Sequence, residues 1–319
     1  MKRFKKILLY APLNVQNEPA LRYAARLAQR NNGTVKVFDC VEPAATIVKK
    51  ILPSSWNLEK VINHDRQSRL RQMVDALASQ GIEADFSVVS GNPAEEITRE
   101  VMHNGYDIVV KTAQGAANHK EQGFFSTTAI QLMRVCPCAV CIVDPVEISR
   151  FKRILVAVDP QSEDPERHAL NRKIMEMGLS LAEREEAQID IIASWSAFGE
   201  SILDVRMSEE DIQSYIATNR EEAQKNLDRV LEEFNGRIDP KCLHIEHGDL
   251  DRIVLDFTEK NPVDILVIGT VARQGISGML MGNVAEKVLH KIRCGVLAVK
   301  PDNFKSPVSL DKTKRERNS

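Results

Sequence analysis

Residues 264–301 read DILVIGTVARQGISGMLMGNVAEKVLHKIRCGVLAVKP, and this stretch decides the fold. It begins with a short apolar run, Ile265 to Ile268, which is typical of a parallel strand buried on both faces. A glycine-rich loop follows, and then a helical segment in which apolar residues recur every fourth position from Val284 to Ile292. A second apolar run, Val296 to Val299, ends at a proline. Strand, glycine loop, helix and strand make up half of a doubly wound α/β sheet, which binds ligands at the carboxyl ends of its strands.

The loop contains four glycines, at positions 269, 275, 278 and 282. Glycine lets the backbone N–H groups approach an anion, and the helix start near Asn283 adds unpaired N–H groups and the positive end of a dipole. The spacing matches neither a P-loop nor the GxGxxG fingerprint. On the glycines alone, a phosphate site and a loop that merely turns sharply remain alternatives.

An internal repeat divides the chain into two copies of one fold. The strand Arg3-Phe-Lys-Lys-Ile-Leu-Leu-Tyr-Ala-Pro12 returns about one domain length later as Arg150-Phe-Lys-Arg-Ile-Leu-Val-Ala-Val-Asp159. The strands that follow Asp107 and Asp264 correspond in the same way. Each copy alternates strands with helices long enough to be crossovers, which predicts two α/β domains with parallel sheets. We place them at residues 1–146 and 150–303, followed by a frayed polar tail at 304–319. Asn17 is predicted to cap the first helix and Gly33 to end it.

Composition and charge exclude several classes of function. The net charge is −2, so no basic field favours nucleic acid, and no apolar run approaches the ~20 residues of a membrane span. Most of the six cysteines lie inside apolar, strand-like runs, which indicates buried thiols in a reducing, cytoplasmic compartment. The run Cys136-Pro-Cys-Ala-Val-Cys141 is interpreted as core packing, with Cys136 and Cys138 on one face of a strand, rather than as a metal or redox site.

The loop resembles the nucleotide-binding signature of the universal stress proteins, in which two residues separate the first two glycines and nine more precede a third glycine followed by Ser or Thr. Here the four positions hold Gly269, Ala272, Gly282 and Asn283. The segments Val284-Ala-Glu-Lys-Val and Cys294-Gly-Val-Leu-Ala-Val also resemble that family. The resemblance implies two tandem flavodoxin-like domains of the universal stress protein type. Each would be a five-stranded parallel sheet of order 3-2-1-4-5 with helices on both faces.

The resemblance also implies a ligand, ATP or a related nucleotide, with no metal required. Asp159 would lie beside adenine and ribose, and the loop after the fourth strand would take the phosphates. The residues that correspond to the family's binding positions are Ala157, Asp159, Ser194, Gly269, Val271, Ala272, Gly282, Asn283 and Val284. The family's tandem chains pack their two copies like the halves of a homodimer, so we expect an intrachain pseudo-dimer, or a homodimer of such chains.

The first copy departs further from this signature. Pro12 stands where the second copy has Asp159, Thr112 stands at the Gly269 position, and Phe125 is predicted to match Gly282. Lys111 places a polar side chain at the end of the fourth strand. We therefore expect the first copy to bind a different ligand or none.

No catalytic group stands out, because none of the seven histidines is paired with a Ser or Cys nucleophile in a recognisable motif. The sequence predicts a cytoplasmic, stress-response protein that binds a small ligand or nucleotide and regulates rather than catalyses. Two alternatives stay open: a slow ATP hydrolase that uses Asp159 and water in the same crevice, and a scaffold or carrier whose ligand is another phosphate-containing or apolar molecule.

Overall fold

The computed structural model describes residues 4–41, 58–113, 124–146, 150–160, 164–196, 208–270 and 281–310, with the backbone only for residues 58–63. The chain divides into two compact units. Within the described residues, unit 1 comprises those up to residue 146 together with residues 304–310. Unit 2 comprises those from residue 150 to residue 303.

Unit 1 is a parallel sheet with strand order β3-β2-β1-β4-β5. Its strands are β1 (Lys6–Tyr10), β2 (Thr34–Val41), β3 (Ala84–Ser90), β4 (Ile108–Thr112) and β5 (Ala139–Val143). Its helices are α1 (Glu18–Asn31), α2 (Leu58–Ala78), α3 (Pro93–Asn104) and α4 (Thr127–Val135).

Unit 2 repeats this topology, with strand order β8-β7-β6-β9-β10. Its strands are β6 (Arg153–Val158), β7 (Gln188–Trp195), β8 (Leu243–His247), β9 (Ile265–Gly269) and β10 (Gly295–Val299). Its helices are α5 (Pro165–Glu185), α6 (Glu209–Glu232), α7 (Leu250–Lys260) and α8 (Asn283–Lys291), with a short 3₁₀ turn at Pro240–Cys242. The predicted pair of doubly wound domains of order 3-2-1-4-5 is confirmed.

The middle strands are apolar because the helices cover both faces of each sheet. In β1, Ile7, Leu8 and Leu9 are completely buried, and Ile154 and Val156 are equally buried in β6. Fully burying one such side chain contributes roughly 1.5–3 kcal/mol, which is why these short runs dominate the sequence pattern.

One aspartate in each unit fixes the fourth strand against the first. Asp107 accepts the backbone N–H groups of Lys5 at 2.7 Å and Lys6 at 2.8 Å. Asp264 accepts those of Lys152 and Arg153 in the same way, at 2.5 and 2.8 Å. The repeat seen in the sequence therefore corresponds to a repeated contact, and it aligns β4 with β9 residue by residue.

The first helix begins after Asn17, as predicted, but the roles predicted for Asn17 and Gly33 are corrected. Asn17 makes no capping hydrogen bond; its Nδ2 donates instead to the carbonyl of Pro12 at 2.9 Å. At the other end Asn32, not Gly33, takes the left-handed conformation, with φ 50°. Gly33 is required for a different reason, because a Cβ there would lie 2.5 Å from the carbonyl oxygen of Lys5.

The C-terminal segment differs from the frayed tail that the sequence predicts. Residues 304–310 are irregular but hydrogen-bonded within unit 1. Ser306 donates its hydroxyl to the carbonyl of Val135 at 2.7 Å, and Arg99 donates its Nε–H to the carbonyl of Ser309 at 2.9 Å. Both hydrogen bonds that hold this segment are accepted by backbone carbonyl groups. A sequence pattern of side chains does not predict such contacts. Residues 311–319 lie outside the described residues.

Four cysteines are buried, at positions 40, 136, 141 and 294, whereas Cys138 and Cys242 are part-exposed. Placing Cys136 and Cys138 on one strand was wrong, because Cys136 ends α4 and β5 begins only at Ala139. The turn brings the two sulfur atoms to 3.5 Å. Within the described ranges, no three or more His, Cys, Asp or Glu side chains form a group that could hold a metal ion. No helix among them is long and apolar enough to span a membrane.

Candidate functional site

The candidate site of unit 2 lies where β6 and β9 end side by side. Ala157 pairs with Ile268, so Asp159 and Gly269 lie just beyond the paired residues at the carboxyl edge of the sheet. On the other side β6 pairs with β7, where Ser194 follows the Val158–Ala193 pair. Because β7 and β9 flank β6 on opposite sides, this edge is the topological switch point at which such sheets bind ligands.

Helix α5 holds Asp159 in place. Arg167 donates from Nη1 to the part-exposed Asp159 carboxylate at 3.2 Å. Asn171 donates its Nδ2–H to the carbonyl of Asp159 at 2.6 Å and accepts its backbone N–H at Oδ1, at 3.3 Å. Asp159 does not cap this helix, because Asp164 does so by accepting the N–H of Glu166. Asp159 is therefore fixed at the edge of the sheet, where its carboxylate can accept a hydrogen bond from a hydroxyl group of a ligand.

Ala157 and Ser194 line the strand ends behind Asp159. Ala157 is 2% exposed and Ser194 is 5% exposed, so they form the floor of this edge rather than its surface. Beside Ser194, Trp195 stacks on His247 with 4.4 Å between the ring centroids. The sequence pattern gives no sign of this aromatic pair, although both residues end neighbouring strands. A period-2 pattern predicts burial but not which strand ends become neighbours.

Gly269 has a packing role. A Cβ on this residue would lie 3.0 Å from Cδ2 of Leu170 and 3.1 Å from Cδ1 of Ile174. Both distances are shorter than ordinary van der Waals contact, so α5 packs closely against the end of β9. The glycine is thus explained by helix packing as well as by the approach of a phosphate.

The remaining loop positions open α8. Gly282 precedes the helix with φ −57° and ψ 139°, a conformation open to any residue, and its carbonyl accepts the N–H of Glu286 at 2.9 Å. Asn283 is exposed at the first helical position and Val284 is part-exposed. The N–H groups of this first turn and the helix dipole suit an anion. Val271 and Ala272 lie outside the described residues.

Comparison with known proteins decides the family. The sequence model of the universal stress protein family matches residues 3–144 and again residues 150–300. The chain belongs to this family. Both matches fall on the repeats that the sequence shows, so each unit is a universal stress protein domain.

Several relatives match nearly the whole chain. Universal stress protein E of Escherichia coli K12 is 29% identical over 325 residues, covering 98% of each chain. The homologue from Haemophilus influenzae is 26% identical over 313 residues, covering 94% of this chain and 98% of its own. Among solved structures, a universal stress protein from Archaeoglobus fulgidus covers 92% of this chain and 98% of its own, with TM-score 0.62 and 15% identity. A functionally unknown protein from Pseudomonas aeruginosa PAO1 covers 95% and 94%, with TM-score 0.72 and 21% identity. These two structures bear on the fold alone.

The first universal stress domain carries a modified version of the same edge. Asn17 donates to the carbonyl of Pro12 just as Asn171 donates to that of Asp159. A proline has no N–H to return, and the Oδ1 atom of Asn17 is buried without a hydrogen-bond partner. The polar contact that supports Asp159 is thus only half made in unit 1.

The predicted match between Phe125 and Gly282 is wrong. Ser126 is the residue that precedes α4, as Gly282 precedes α8, so Ser126 matches Gly282 and Thr127 matches Asn283. The extra residue of this copy therefore falls before Ser126. Phe125 is 8% exposed and contacts Phe124 edge to face, with 5.0 Å between ring centroids. The sequence does not reveal this shift from Phe125 to Ser126, because an apolar residue such as Phe125 can stand either just before a helix or at its start.

The end of β2 in unit 1 carries charges of its own. Asp39 is buried and pairs with Arg66 from α2. Burial raises the pKa of this carboxyl group although Arg66 opposes the shift. Arg69, one turn further along α2, donates to the carbonyl of Val15 at 3.1 Å. Helix α2 therefore holds the loop after β1 through Arg69 and the end of β2 through Arg66, whereas in unit 2 Arg167 and Asn171 of α5 hold the residue after β6.

Proposed function

We propose that this universal stress protein binds a nucleotide of the ATP type in unit 2, at the carboxyl ends of β6 and β9, and acts as a regulatory ligand-binding protein. The observation that carries the proposal is the fixed position of Asp159, whose carboxylate and both backbone polar groups are held by α5 at the switch point. A preorganised acceptor at this place is suited to the hydroxyls of a ribose.

The positive end of α8 supports the phosphate half of the proposal. The helix start at Asn283 follows the loop from β9, and backbone N–H groups of a first turn bind phosphate without any basic side chain. The base would rest against Ala157 and Ser194. A role in the cytoplasmic stress response is proposed from family membership, and pairing of the two copies as in a homodimer stays a prediction.

A scaffold without a nucleotide is the second candidate, and one observation favours it. Gly269 is accounted for by the approach of Leu170 and Ile174, so its presence does not require a phosphate.

Single-turnover assays with purified protein distinguish the nucleotide-binding proposal from a slow hydrolase.

A pair of charge-matched variants tests the nucleotide proposal. Asp159→Asn removes the carboxylate at the site, whereas Asp164→Asn makes the same change at a helix cap that asparagine serves equally well. We expect calorimetry to show ATP affinity weakened about tenfold or more by Asp159→Asn, since a hydrogen bond to a charged group contributes roughly 1.5–3 kcal/mol. Asp164→Asn should bind like the parent. Equal affinities for both variants would contradict the role of Asp159.

A further inference from the structure

Two cysteines of unit 1 lie together at the turn that joins α4 to β5. The Sγ atoms of Cys136 and Cys138 are 3.5 Å apart, so the two sulfur atoms are in direct contact. Cys136 is completely buried, whereas Cys138 is part-exposed, and both are free thiols. A reagent in solution can therefore reach the Cys138 sulfur directly, and it reaches Cys136 only through this neighbour.

The same turn of unit 2 has no such pair. Ile292 follows α8 as Cys136 follows α4, with nearly the same backbone conformation: φ −66° and ψ 147° against φ −72° and ψ 129°. Two residues further on, both units have a cysteine, Cys138 and Cys294. Ile292 is buried, so the fold accepts an apolar side chain at this position. The second sulfur atom of unit 1 is therefore not needed for packing.

Pro137 fixes the backbone between the two thiols. A proline locks its own φ and holds the preceding residue extended, as Cys136 is. The sulfur atoms of a disulfide are about 2.05 Å apart, so this pair would have to approach by roughly 1.5 Å, which rotation about χ1 can supply. The bond would close a small ring through Pro137. Strained or exposed disulfides are the readily reduced ones, so the pair is suited to a reversible bond.

A disulfide fits this pair better than a metal ion does. A zinc site needs three or four protein ligands. Within the part of the chain that the structure describes, no group of three or more His, Cys, Asp or Glu side chains could hold a metal ion. Cys141, the third cysteine of this run, is completely buried inside β5. The chemistry open to Cys136 and Cys138 is therefore what two sulfur atoms can do together.

We propose that Cys136 and Cys138 form a reversible disulfide when the protein meets an oxidised low-molecular-weight thiol of the glutathione class. The Cys138 thiolate attacks the disulfide of this oxidant, which gives a mixed disulfide and releases one small thiol. The Cys136 thiolate then attacks the Cys138 sulfur, displaces the second small thiol and closes the bond. Two protein thiols are oxidised, one small disulfide is reduced, and the two protons pass to the released thiolates. The inference goes beyond the nucleotide proposal, because it concerns unit 1 and the amino end of β5.

Burial determines how fast this reaction proceeds. Burial, and after it the neighbouring Cys136, raise the pKa of the Cys138 thiol. Only the thiolate attacks a disulfide, so we expect slow oxidation at neutral pH and faster oxidation as the pH rises. The pair would thus respond to sustained oxidising conditions rather than to a brief pulse.

The test oxidises the full-length protein in buffers that contain oxidised and reduced glutathione at set ratios, at about pH 8.5 so that more thiolate is present. The reaction is quenched with acid, the remaining thiols are alkylated in denaturant, and the tryptic peptides are analysed by mass spectrometry. We expect the peptide that contains Cys136 and Cys138 to lose two hydrogen atoms, to carry no glutathione and to escape alkylation at both residues. Excess reduced glutathione should restore both thiols.

Three variants locate the bond. Cys136→Ile is the matched control, because isoleucine occupies this position in unit 2, and its Cys138 should take up one glutathione and go no further. Cys138→Ser leaves Cys136 buried without a sulfur partner, so Cys136 should stay a thiol, and this variant serves if Cys136→Ile does not fold. Cys141→Ala removes the third cysteine of the same peptide and should oxidise like the parent.

The proposal is overturned if the parent keeps both thiols in fully oxidised glutathione, or stops at a glutathione adduct on Cys138. It is equally overturned if Cys136→Ile still loses two hydrogen atoms from this peptide, or if Cys141→Ala no longer does, because the bond would then involve Cys141. Nucleotide binding plays no part in these measurements, so this proposal and the nucleotide proposal can fail separately.

Discussion

The side-chain amide of Asn171 makes two hydrogen bonds to the backbone of Asp159. It donates to the carbonyl at 2.6 Å and accepts from the N–H at 3.3 Å. This contact links a buried position on α5 to the strand end at which the ligand would bind. In unit 1, Asn17 makes the donating half to Pro12 and leaves its own oxygen without a partner. The two units thus differ at the point where the crevice is built, not only in the loop that the sequence signature covers.

Replacing Asn171 should loosen the site. We expect Asn171→Leu to lower the free energy of unfolding by about 1–3 kcal/mol, because the amide and carbonyl of Asp159 lose their partner. ATP affinity should fall with it, since the backbone of Asp159 is no longer held and Arg167 alone keeps the carboxylate in place. Urea unfolding and calorimetry measure the two effects, with the exposed Asn235→Leu as control. An Asn171→Leu protein with unchanged ATP affinity would show that the contact is structural only.

Gly269→Ala tests the packing role of this glycine. The added methyl group would meet Leu170 and Ile174 at about van der Waals overlap, so the free energy of unfolding should fall by roughly 1–3 kcal/mol. The loss should be smaller in a Leu170→Ala background, because the contact has been removed there. A double-mutant cycle by urea unfolding measures this coupling. If the two substitutions change the free energy of unfolding additively, contact with Leu170 is not the reason for glycine at position 269.

Lys111 makes stability depend on pH with a defined sign. The folded side chain loses its proton near pH 8, whereas in the unfolded chain it keeps it up to about pH 10.5. Between these values the unfolded state binds more protons, so stability rises with pH through this window. Relative to Lys111→Met, the parent should gain up to about 3 kcal/mol between pH 7.5 and 10.5, since one pKa unit corresponds to about 1.4 kcal/mol.

The comparison with Lys111→Met cancels the other groups that titrate in this range. Burial raises the pKa of Tyr106 and of the Cys138 thiol, and both act equally on the two proteins. Denaturant unfolding at intervals across the window gives the difference directly. A difference that stays flat with pH would mean that the Lys111 amine is solvated in the folded state.

The cysteines should react in two groups. The four buried thiols should resist alkylation in the native protein, and only Cys138 and Cys242 should be labelled. Labelling of these two should be slow at neutral pH, because burial is the first cause that raises the pKa of each thiol and the thiolate is the nucleophile. Timed iodoacetamide labelling with peptide mass spectrometry measures this. Rapid labelling of Cys136 or Cys141 would contradict the packed core.

The strands and their order could be predicted because each middle strand is a short apolar run in the sequence. The segments that end at Pro12 and Asp159 are identical at five of ten positions and apolar at the same strand positions, and a strand buried on both faces shows as such an apolar run. The position of Asp159 at the switch point followed from the topology alone. Helix ends were less predictable, as at Asn17, whose amide bonds a carbonyl on a neighbouring loop instead of its own helix.

The supports of the site could not be predicted, since they depend on contacts between distant elements. Arg167 and Asn171 belong to a long helix whose sequence pattern indicates only a core face and a solvent face. The sequence shows Lys111 as a polar residue at a strand end, but its burial and its closeness to Ser126 depend on where α4 begins. The shift from Phe125 to Ser126 shows the same limit, because one extra residue in a loop leaves no mark in the pattern.

Calorimetric titration of ATP into the parent and into Gly282→Val tests the central claim, a nucleotide site in unit 2. The valine side chain is compatible with the backbone at this position, so the variant should fold and differ mainly where the phosphates would approach the start of α8. We predict one site in the parent and affinity weakened about ten- to a hundredfold in Gly282→Val, the effect of losing one charged hydrogen bond. A parent that gives no binding heat at millimolar ATP, or a variant that binds as tightly as the parent, would contradict the account.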